Sequence, residues 1–264
     1  MTSLQTRIWH EVPEPGDPFA VRVARCHGYD VFGDMLGHCR WVELLFLLFR
    51  GEAPSSGQAA LLEDLAVALA NPGPRDPAVH AAMASATGGA TAAAALMAAL
   101  AVGAGRQGGA RDVFDALTGW ERCGLDVPAW QAWMRSAGEP ALSIWPAAER
   151  PAGFDGQAVQ TSGIVLRTLS GLCVHAPAER LRWLAAHRGA LEAAAGRPLA
   201  MTGVAAAVLA DLGFDAEQGE MLHLLLRLPG AAAHALEQRA LGYKRFPFPA
   251  VQLEDDPGQA VGAS

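Results

Sequence analysis

The feature that most limits how this chain can fold is a charge-free run from Ala81 to Gly105, built mostly of Ala, Gly, Thr and Ser. The run is as long as a membrane-spanning helix. Its small side chains gain little free energy from hydrocarbon, and no Trp or Tyr belt or basic cluster flanks it. We therefore predict a buried helix whose small residues let another helix approach closely, either in the core or in a subunit interface. We also expect a dimer formed partly through this helix.

Composition narrows the class of protein further. Of the 264 residues, 51% are hydrophobic and only 18% are charged, and Ala dominates, which favours packed helices over strands. The net charge is −7 and no Lys/Arg run occurs, so a nucleic-acid partner is not expected. Four separated cysteines without a CxxC pair predict neither a disulfide framework nor a metal site. With no apolar signal segment at the start, we expect a cytoplasmic protein without a membrane partner.

The hydrophobic pattern predicts roughly ten helices with short connections and no convincing strand run. Besides the small-residue helix, the predicted helices are one around Val42–Phe49 that ends at Gly51, then Gln58–Ala70, Ala110–Cys123, Val127–Ala137, Gln157–Val174, Ala178–Ala195, Ala200–Leu212, Ala216–Leu228 and Gly230–Leu241. The stretch Gly138–Gly156 is rich in Pro and Gly. We expect it to be a loop that crosses between two lobes.

Three anchors occur in a fixed order along the chain. The first is Gly28-Tyr29-Asp30, followed by the helix that ends in Arg50-Gly51-Glu52; the second is Gly108-Gly109-Ala110. The third runs from Arg227 to Gln238 and is similar to the pattern R-x-x-G-x-x-A-H-x-x-E-Q. Together they resemble the citrate synthase family, including its short citryl-CoA lyase members. The resemblance covers about residues 25 to 250, nearly the whole chain.

The resemblance implies an all-α, citrate synthase-like fold with two helical lobes. Residues 1–110 would form the first part of a large domain and residues 111–215 a small domain. Residues 216–264 would return to the large domain and end in a C-terminal tail. Members of the family reach across a dimer with their C-terminal segment.

The resemblance also locates three catalytic positions. In the family, a His of His-Gly-Gly-Ala polarises the thioester carbonyl, an Asp removes the α-proton, and a second His holds the keto-acid carbonyl and supplies its proton. Gln107, Thr202 and Ile144 stand at these positions here, respectively. The amide of Gln107 can still donate a hydrogen bond, but Ile144 has no proton to give and an ordinary Thr hydroxyl cannot act as the base. Because the loss of one such group costs about 10²–10⁴ in rate, standard citrate chemistry is not expected.

Three further residues are assigned to substrate binding by the resemblance: Arg227, His234 and Arg245. From the residues alone, Arg227 is equally well a helix-end arginine near backbone carbonyls, and His234 is better read as a core-lining histidine. The remaining histidines are scattered, and none has the spacing of a metal site such as HExxH. No metal or bound cofactor is therefore expected.

These observations leave several functions open. The resemblance implies a protein that acts on or binds an acyl-CoA and a di- or tricarboxylate, with a coenzyme A thioester as substrate or ligand. Such an enzyme would be an acyltransferase that converts the acyl group to an alkyl group on transfer, or a citryl-CoA lyase; with degenerate positions it would be a pseudoenzyme. The alternative is a non-catalytic member that binds CoA or a carboxylate, or that pairs with a catalytic paralogue as a heterodimer instead of forming a homodimer. A purely structural subunit is the third hypothesis.

Overall fold

The computed structural model describes residues 5–136 and 150–251, which are helical apart from a small sheet at the N-terminal end. Ten α-helices lie in these ranges: α1 (Trp41–Arg50), α2 (Ser56–Leu69), α3 (Pro77–Thr87), α4 (Ala92–Gly103), α5 (Ala110–Cys123), α6 (Val127–Ser136), α7 (Gly163–Leu172), α8 (Glu179–Ala195), α9 (Met201–Asp211) and α10 (Ala216–Leu241). A π-helical turn (Val31–Met35) precedes α1, and a 3-10 turn (Tyr243–Arg245) follows α10.

The sheet is antiparallel and contains β1 (Trp9–Glu14), β2 (Asp17–Cys26) and β3 (Tyr29–Asp30) in that order. The prediction that the chain has no strand run is therefore wrong at its start. A turn at Gly16, with φ +82°, joins β1 to β2, and within β2 the apolar Val21 and Val23 flank the polar Arg22 as in a strand. The pairing of β1 with β2 is irregular around Pro13, because proline has no N–H to give to the ladder.

Several predicted helices are confirmed. Helix α5 has the predicted bounds, and α1 ends at Gly51, whose φ of +75° is the left-handed conformation of a helix C-cap. The helix predicted over Gln157–Val174 begins six residues later, because Asp155 binds the first backbone N–H groups of that stretch and Ser162 caps α7 instead. Of the predicted crossover loop, residues 150–156 are described and irregular, while 138–149 lie outside the described residues.

The single small-residue helix predicted over Ala81–Gly105 is wrong: two helices, α3 and α4, occupy this run. Helix α3 ends at Gly88, and Gly89 follows with φ +80°. The hydroxyl of Thr91 then accepts a hydrogen bond from Ala94 N and caps α4. Helix α4 buries only one face, so the run is less deeply buried than its composition predicts.

The two helices predicted on either side of Pro229 are one continuous helix, α10, of 26 residues. A proline inside a helix breaks the backbone ladder. Here the N–H of Gly230 donates a hydrogen bond of 2.7 Å to the carbonyl of Ala70, at the end of α2. That contact satisfies a group near the proline and lets the helix continue.

Two clusters of buried apolar side chains hold the helices together. The larger cluster lies among α1, α2, α5 to α9 and the first half of α10. The smaller one joins α3 and α4 to the second half of α10, together with Phe246. Arg227 lies between Leu226, in the larger cluster, and Ala231, in the smaller. The division into a large and a small domain stays a prediction.

The close approach of α10 to α2 predicts that Gly230 tolerates no side chain. A Cβ at this residue would lie 2.5 Å from Ala70 O and 2.7 Å from Asn71 Cα, both backbone atoms. We expect Gly230→Ala to lower the free energy of unfolding by about 1–3 kcal/mol, as overpacking does. Gly189→Ala, in α8 where a Cβ meets nothing within 4 Å, should raise it by about 0.5–1 kcal/mol. Urea denaturation measures both, and equal effects of the two variants would contradict the packing argument.

Candidate active site

Gln107 lies on an exposed turn between α4 and α5. The two residues that follow it are glycines, and the structure requires glycine at each position. Gly108 has a φ of +71°, which favours glycine. A Cβ on Gly109 would lie 2.3 Å from Gly105 O. The Gly-Gly pair thus fixes the turn, and α5 begins directly after it.

Thr202 lies in the first turn of α9 and is only 4% exposed. Its hydroxyl donates a hydrogen bond of 2.5 Å to Oδ2 of Asp112, in α5. A hydroxyl that donates to a carboxylate keeps its proton and is a poor proton acceptor. The geometry therefore supports no base at Thr202 itself.

Asp112 is buried beside a single cation. Its Oδ1 lies 3.2 Å from Nη1 of Arg150, and the two side chains are 4% and 5% exposed. The same oxygen accepts a hydrogen bond of 3.3 Å from Gly153 N. Both carboxylate oxygens of Asp112 are therefore occupied by groups of the chain.

Burial raises the pKa of the Asp112 carboxyl above its usual value. The guanidinium of Arg150, the Thr202 hydroxyl and the Gly153 N–H favour the charged form and oppose that effect. A buried carboxylate with three such donors is held in place by them. We assign it a structural role, since it is buried and both of its oxygens already accept hydrogen bonds from the chain.

Arg150 extends the hydrogen-bond network of Asp112 to the turn that contains Gln107. Its Nη2 donates a hydrogen bond of 3.2 Å to the carbonyl of Arg106, and its Nη1 also donates to the carbonyl of Phe154. Through Asp112 and Arg150, the start of α9 is connected to the residue just before Gln107.

The segment that contains Arg150 is held against α9 by backbone contacts. Ala200 N donates to Gly153 O at 3.0 Å, and Asp155 N donates to Pro198 O at 2.8 Å. Gly203 permits the approach, because a Cβ there would lie 2.4 Å from Gly153 O. Thr202 is thereby kept in a close-packed interior.

Arg227 contacts the same turn from α10. Its Nη1 donates a hydrogen bond of 3.2 Å to Gly108 O, next to Gln107. Its Nη2 forms an ion pair with Oδ2 of Asp76, the residue that caps α3. The two side chains are 13% and 15% exposed. Arg227 is therefore engaged by the chain's own groups.

His223 lies one helical turn before Arg227 and is 1% exposed. Among the described residues, its Nδ1 has no hydrogen-bond partner. Burial, and then the positive charge of Arg227, lower the pKa of His223 to about 3. This histidine is therefore uncharged at neutral pH.

The remaining predicted site residues are His234, Arg245 and Ile144. The Nε2 of His234 lies 3.1 Å from Asn71 Oδ1, and its Nδ1 lies 3.4 Å from a carboxylate oxygen of Glu237. Arg245 is exposed on the 3-10 turn after α10. Within the described residues, neither forms a hydrogen bond with Gln107 or Thr202. Ile144 lies outside the described residues.

The sequence reasoning missed Asp112, the residue that binds Thr202. A signal existed: Asp112 precedes Ala116 and Trp120 by one and two helical turns, and both lie on the buried face of α5. A carboxylate on such a face requires a buried partner, and the sequence contained no means of choosing that partner.

Other kinds of site find no support among residues 5–136 and 150–251. No group of three His, Cys, Asp or Glu side chains there could hold a metal ion. The four cysteines are free. In the same part of the chain, no helix combines the length and apolar character needed to cross a bilayer.

No protein-family model and no curated protein sequence matches this chain. Solved structures do match it. The citryl-CoA lyase from Hydrogenobacter thermophilus has a TM-score of 0.71 at 17% identity, over 98% of this chain and 99% of that one. An ATP citrate lyase mutant from Methanosaeta concilii, in complex with (3S)-citryl-CoA, has a TM-score of 0.69 at 18% identity. The ATP citrate lyase from Methanothrix soehngenii, in complex with citrate and coenzyme A, has a TM-score of 0.70 at 17% identity.

These likenesses define the class of fold. The chain spans nearly the whole of the citryl-CoA lyase but only 43% and 42% of the two ATP citrate lyases. The citrate synthase-like helical fold implied by the sequence motifs is therefore confirmed. At such low sequence identity the likeness establishes the fold, and the chemistry has to be argued from the site.

The buried ion pair predicts a large difference between two aspartates of α5. Asp112→Asn leaves Arg150 buried without a countercharge, so we expect a loss of about 3–5 kcal/mol in the free energy of unfolding. Asp115→Asn is the matched control, because Asp115 pairs with Arg111 at 3.6 Å and both side chains are more than a third exposed. That variant should lose about 1 kcal/mol or less. Comparable losses in urea denaturation would contradict a structural role for Asp112.

The lowered pKa of His223 predicts that part of the chain's free energy of unfolding is lost in acid. Its pKa is about 3 in the folded chain and about 6.5 when unfolded. Between these values the unfolded chain binds a proton that the folded chain does not, so stability falls as the pH falls below about 6.5. His223→Leu lacks this component. Measured from pH 7 to 4.5, the variant should gain about 1.4 kcal/mol relative to wild type for each pH unit below 6.5, and parallel profiles would contradict the assignment.

Proposed function

We propose that this chain is a citryl-CoA lyase-like protein that binds a coenzyme A thioester and a di- or tricarboxylate without carrying out standard citrate chemistry. The likeness to a citryl-CoA lyase along almost its entire length supports the ligand class. So do the two ATP citrate lyases, which hold citryl-CoA, or citrate with coenzyme A. A cytoplasmic location belongs to the same proposal and is supported by the four free cysteines.

The observation that carries the proposal is the hydrogen bond from Thr202 to Asp112. The α-proton of a thioester is very weakly acidic, so its removal needs a positioned base together with a donor at the carbonyl. The Thr202 hydroxyl keeps its proton and donates a hydrogen bond to Asp112, and both oxygens of Asp112 already accept hydrogen bonds. The amide of Gln107, on its exposed turn, can still donate to a carbonyl. This combination favours ligand binding over turnover.

Turnover assays test the chemical half of the proposal. Wild type should form citrate from oxaloacetate and acetyl-CoA, and cleave citryl-CoA, at rates at or near background. Thr202→Asp alone should restore little and should destabilise the fold, because its carboxylate would lie against that of Asp112. The better variant adds Asp112→Thr to Thr202→Asp, which exchanges the two groups. Combined with Gln107→His and Ile144→His, it is the design expected to give measurable turnover. Substantial activity of the unmodified chain would contradict the proposal.

Binding measurements test the other half. Isothermal titration of wild type with coenzyme A, acetyl-CoA and citrate should show saturable binding of at least one of them. A catalytically silent chain that binds none would leave only the second candidate function.

That second candidate is a subunit that pairs with another copy or with a catalytic paralogue. The outer face of α4 favours it, because Met97 is 61% exposed there, on the side opposite the buried Ala95, Ala99 and Gly103. An apolar face of this kind fits a close helix–helix interface. Sedimentation of wild type should show a dimer, and Met97→Glu should shift it toward monomer. Val67→Glu is the control that should leave the dimer intact. Val67 is also apolar and is 74% exposed, but it lies on α2. A wild-type monomer at micromolar concentration would exclude self-association.

A further inference from the structure

Arg227, which the family resemblance assigns to substrate binding, is paired with Asp76. Arg227 also contacts the turn carrying Gln107, through Gly108 O. Its other guanidinium nitrogen is taken by a carboxylate of the chain itself, Oδ2 of Asp76. We infer that Asp76 acts as an internal carboxylate ligand of Arg227 and closes this arginine to substrate carboxylates until it is displaced. The inference rests on the proposed function in one respect: it takes the ligand to be a di- or tricarboxylate.

Asp76 is fixed in this position by a second task. Its other carboxylate oxygen, Oδ1, accepts hydrogen bonds from Ala78 N at 3.0 Å and Val79 N at 3.2 Å, and so caps α3. The capping bonds orient the carboxylate, so that Oδ2 faces Arg227 without a further loss of side-chain freedom. A preorganised internal group competes better than a ligand that must be ordered on binding.

The space around the pair supports direct competition. A cavity lined by Pro72, Asp76, Leu224, Arg227 and Leu228, among others, has a volume of ≈ 20 Å³. Such a cavity has room for about one water molecule. A di- or tricarboxylate is several times larger than this cavity, which therefore does not hold one beside Asp76 as it stands. The Asp76 carboxylate occupies the guanidinium nitrogen that such a ligand would contact.

The electrostatics around Arg227 depend on Asp76. His223, one turn away in α10, is uncharged at neutral pH and supplies no anion. Among the residues that the structure describes, the other hydrogen bond of the guanidinium goes to the neutral carbonyl of Gly108. Removing the Asp76 carboxylate would therefore leave a partly buried cation without its countercharge, which attracts an anion from solution.

The test compares carboxylate binding by the full-length chain with and without the Asp76 carboxylate. Asp76→Ser keeps a side-chain oxygen that can cap α3, but it removes the negative charge that lies beside Arg227. Citrate and, separately, acetate are titrated at constant ionic strength with sodium chloride, by calorimetry and by the shift in melting temperature. We expect Asp76→Ser to bind citrate at least tenfold more tightly than wild type. Asp76→Asn, which preserves the shape and the capping oxygen, should do the same if the serine variant folds poorly.

Two controls identify the cation. Adding Arg227→Gln to Asp76→Ser should abolish the gain. Asp115→Ser, which removes one of the two carboxylates beside the half-exposed Arg111, should produce none. A gain below tenfold in the variant that folds, or a gain that persists with Arg227→Gln, would overturn the inference. Failure of wild type to bind coenzyme A would remove the proposed function, yet the difference between the Asp76 variant and wild type would still decide this inference.

Discussion

The buried pair of Asp112 and Arg150 is the interaction on which the site depends. Through its two charges, α5 is joined to the start of α9, to the segment after residue 149 and to the turn before Gln107. An isolated charge in such an interior would be very costly, so each member requires the other. Because the network is satisfied internally, the segments stay together whether or not a ligand is present. Thr202, which stands at the position that the family resemblance assigns to the base, thus also helps to hold these segments together.

Thr202 and Asp112 constrain each other. Their oxygens are 2.5 Å apart, a distance at which two carboxylates could not both stay ionised. With an aspartate in α5, the residue at the start of α9 has to be a donor, and a threonine hydroxyl fulfils that need. Thr202 and Asp112 therefore form a matched pair. A threonine at this position is compatible with a well-packed fold because its hydroxyl satisfies a buried charge.

Much of the fold could be predicted from the sequence, but the failures have specific physical causes. Helix α5 and the Gly51 cap follow from apolar periodicity and from the backbone freedom of glycine. The break between α3 and α4 was missed because the small residues around it look uniform, although Gly89 followed by Thr91 carries a stop and a start signal. Continuity through Pro229 could not be foreseen, since it depends on the Ala70 carbonyl, a long-range partner. The motif proposes the positions of the site, which stay a prediction, whereas the Asp112 network requires three segments to be brought together in space.

The residues that the family resemblance assigns to substrate binding differ in the partners that they already have. Arg227 is paired with Asp76, and His234 is bound by Asn71 and Glu237, whereas Arg245 is exposed. A ligand carboxylate gains little from a cation whose charge is already compensated in place, because it must first break an oriented, partly buried pair. The affinity for a carboxylate ligand is therefore set by a difference in binding free energy. The two terms are the contact of the ligand's carboxylate with the Arg227 guanidinium and the contact that Asp76 already makes with it. A chain can keep the arginine of a substrate site and still restrict which ligands bind to it, because the competing carboxylate belongs to Asp76, the residue that caps α3.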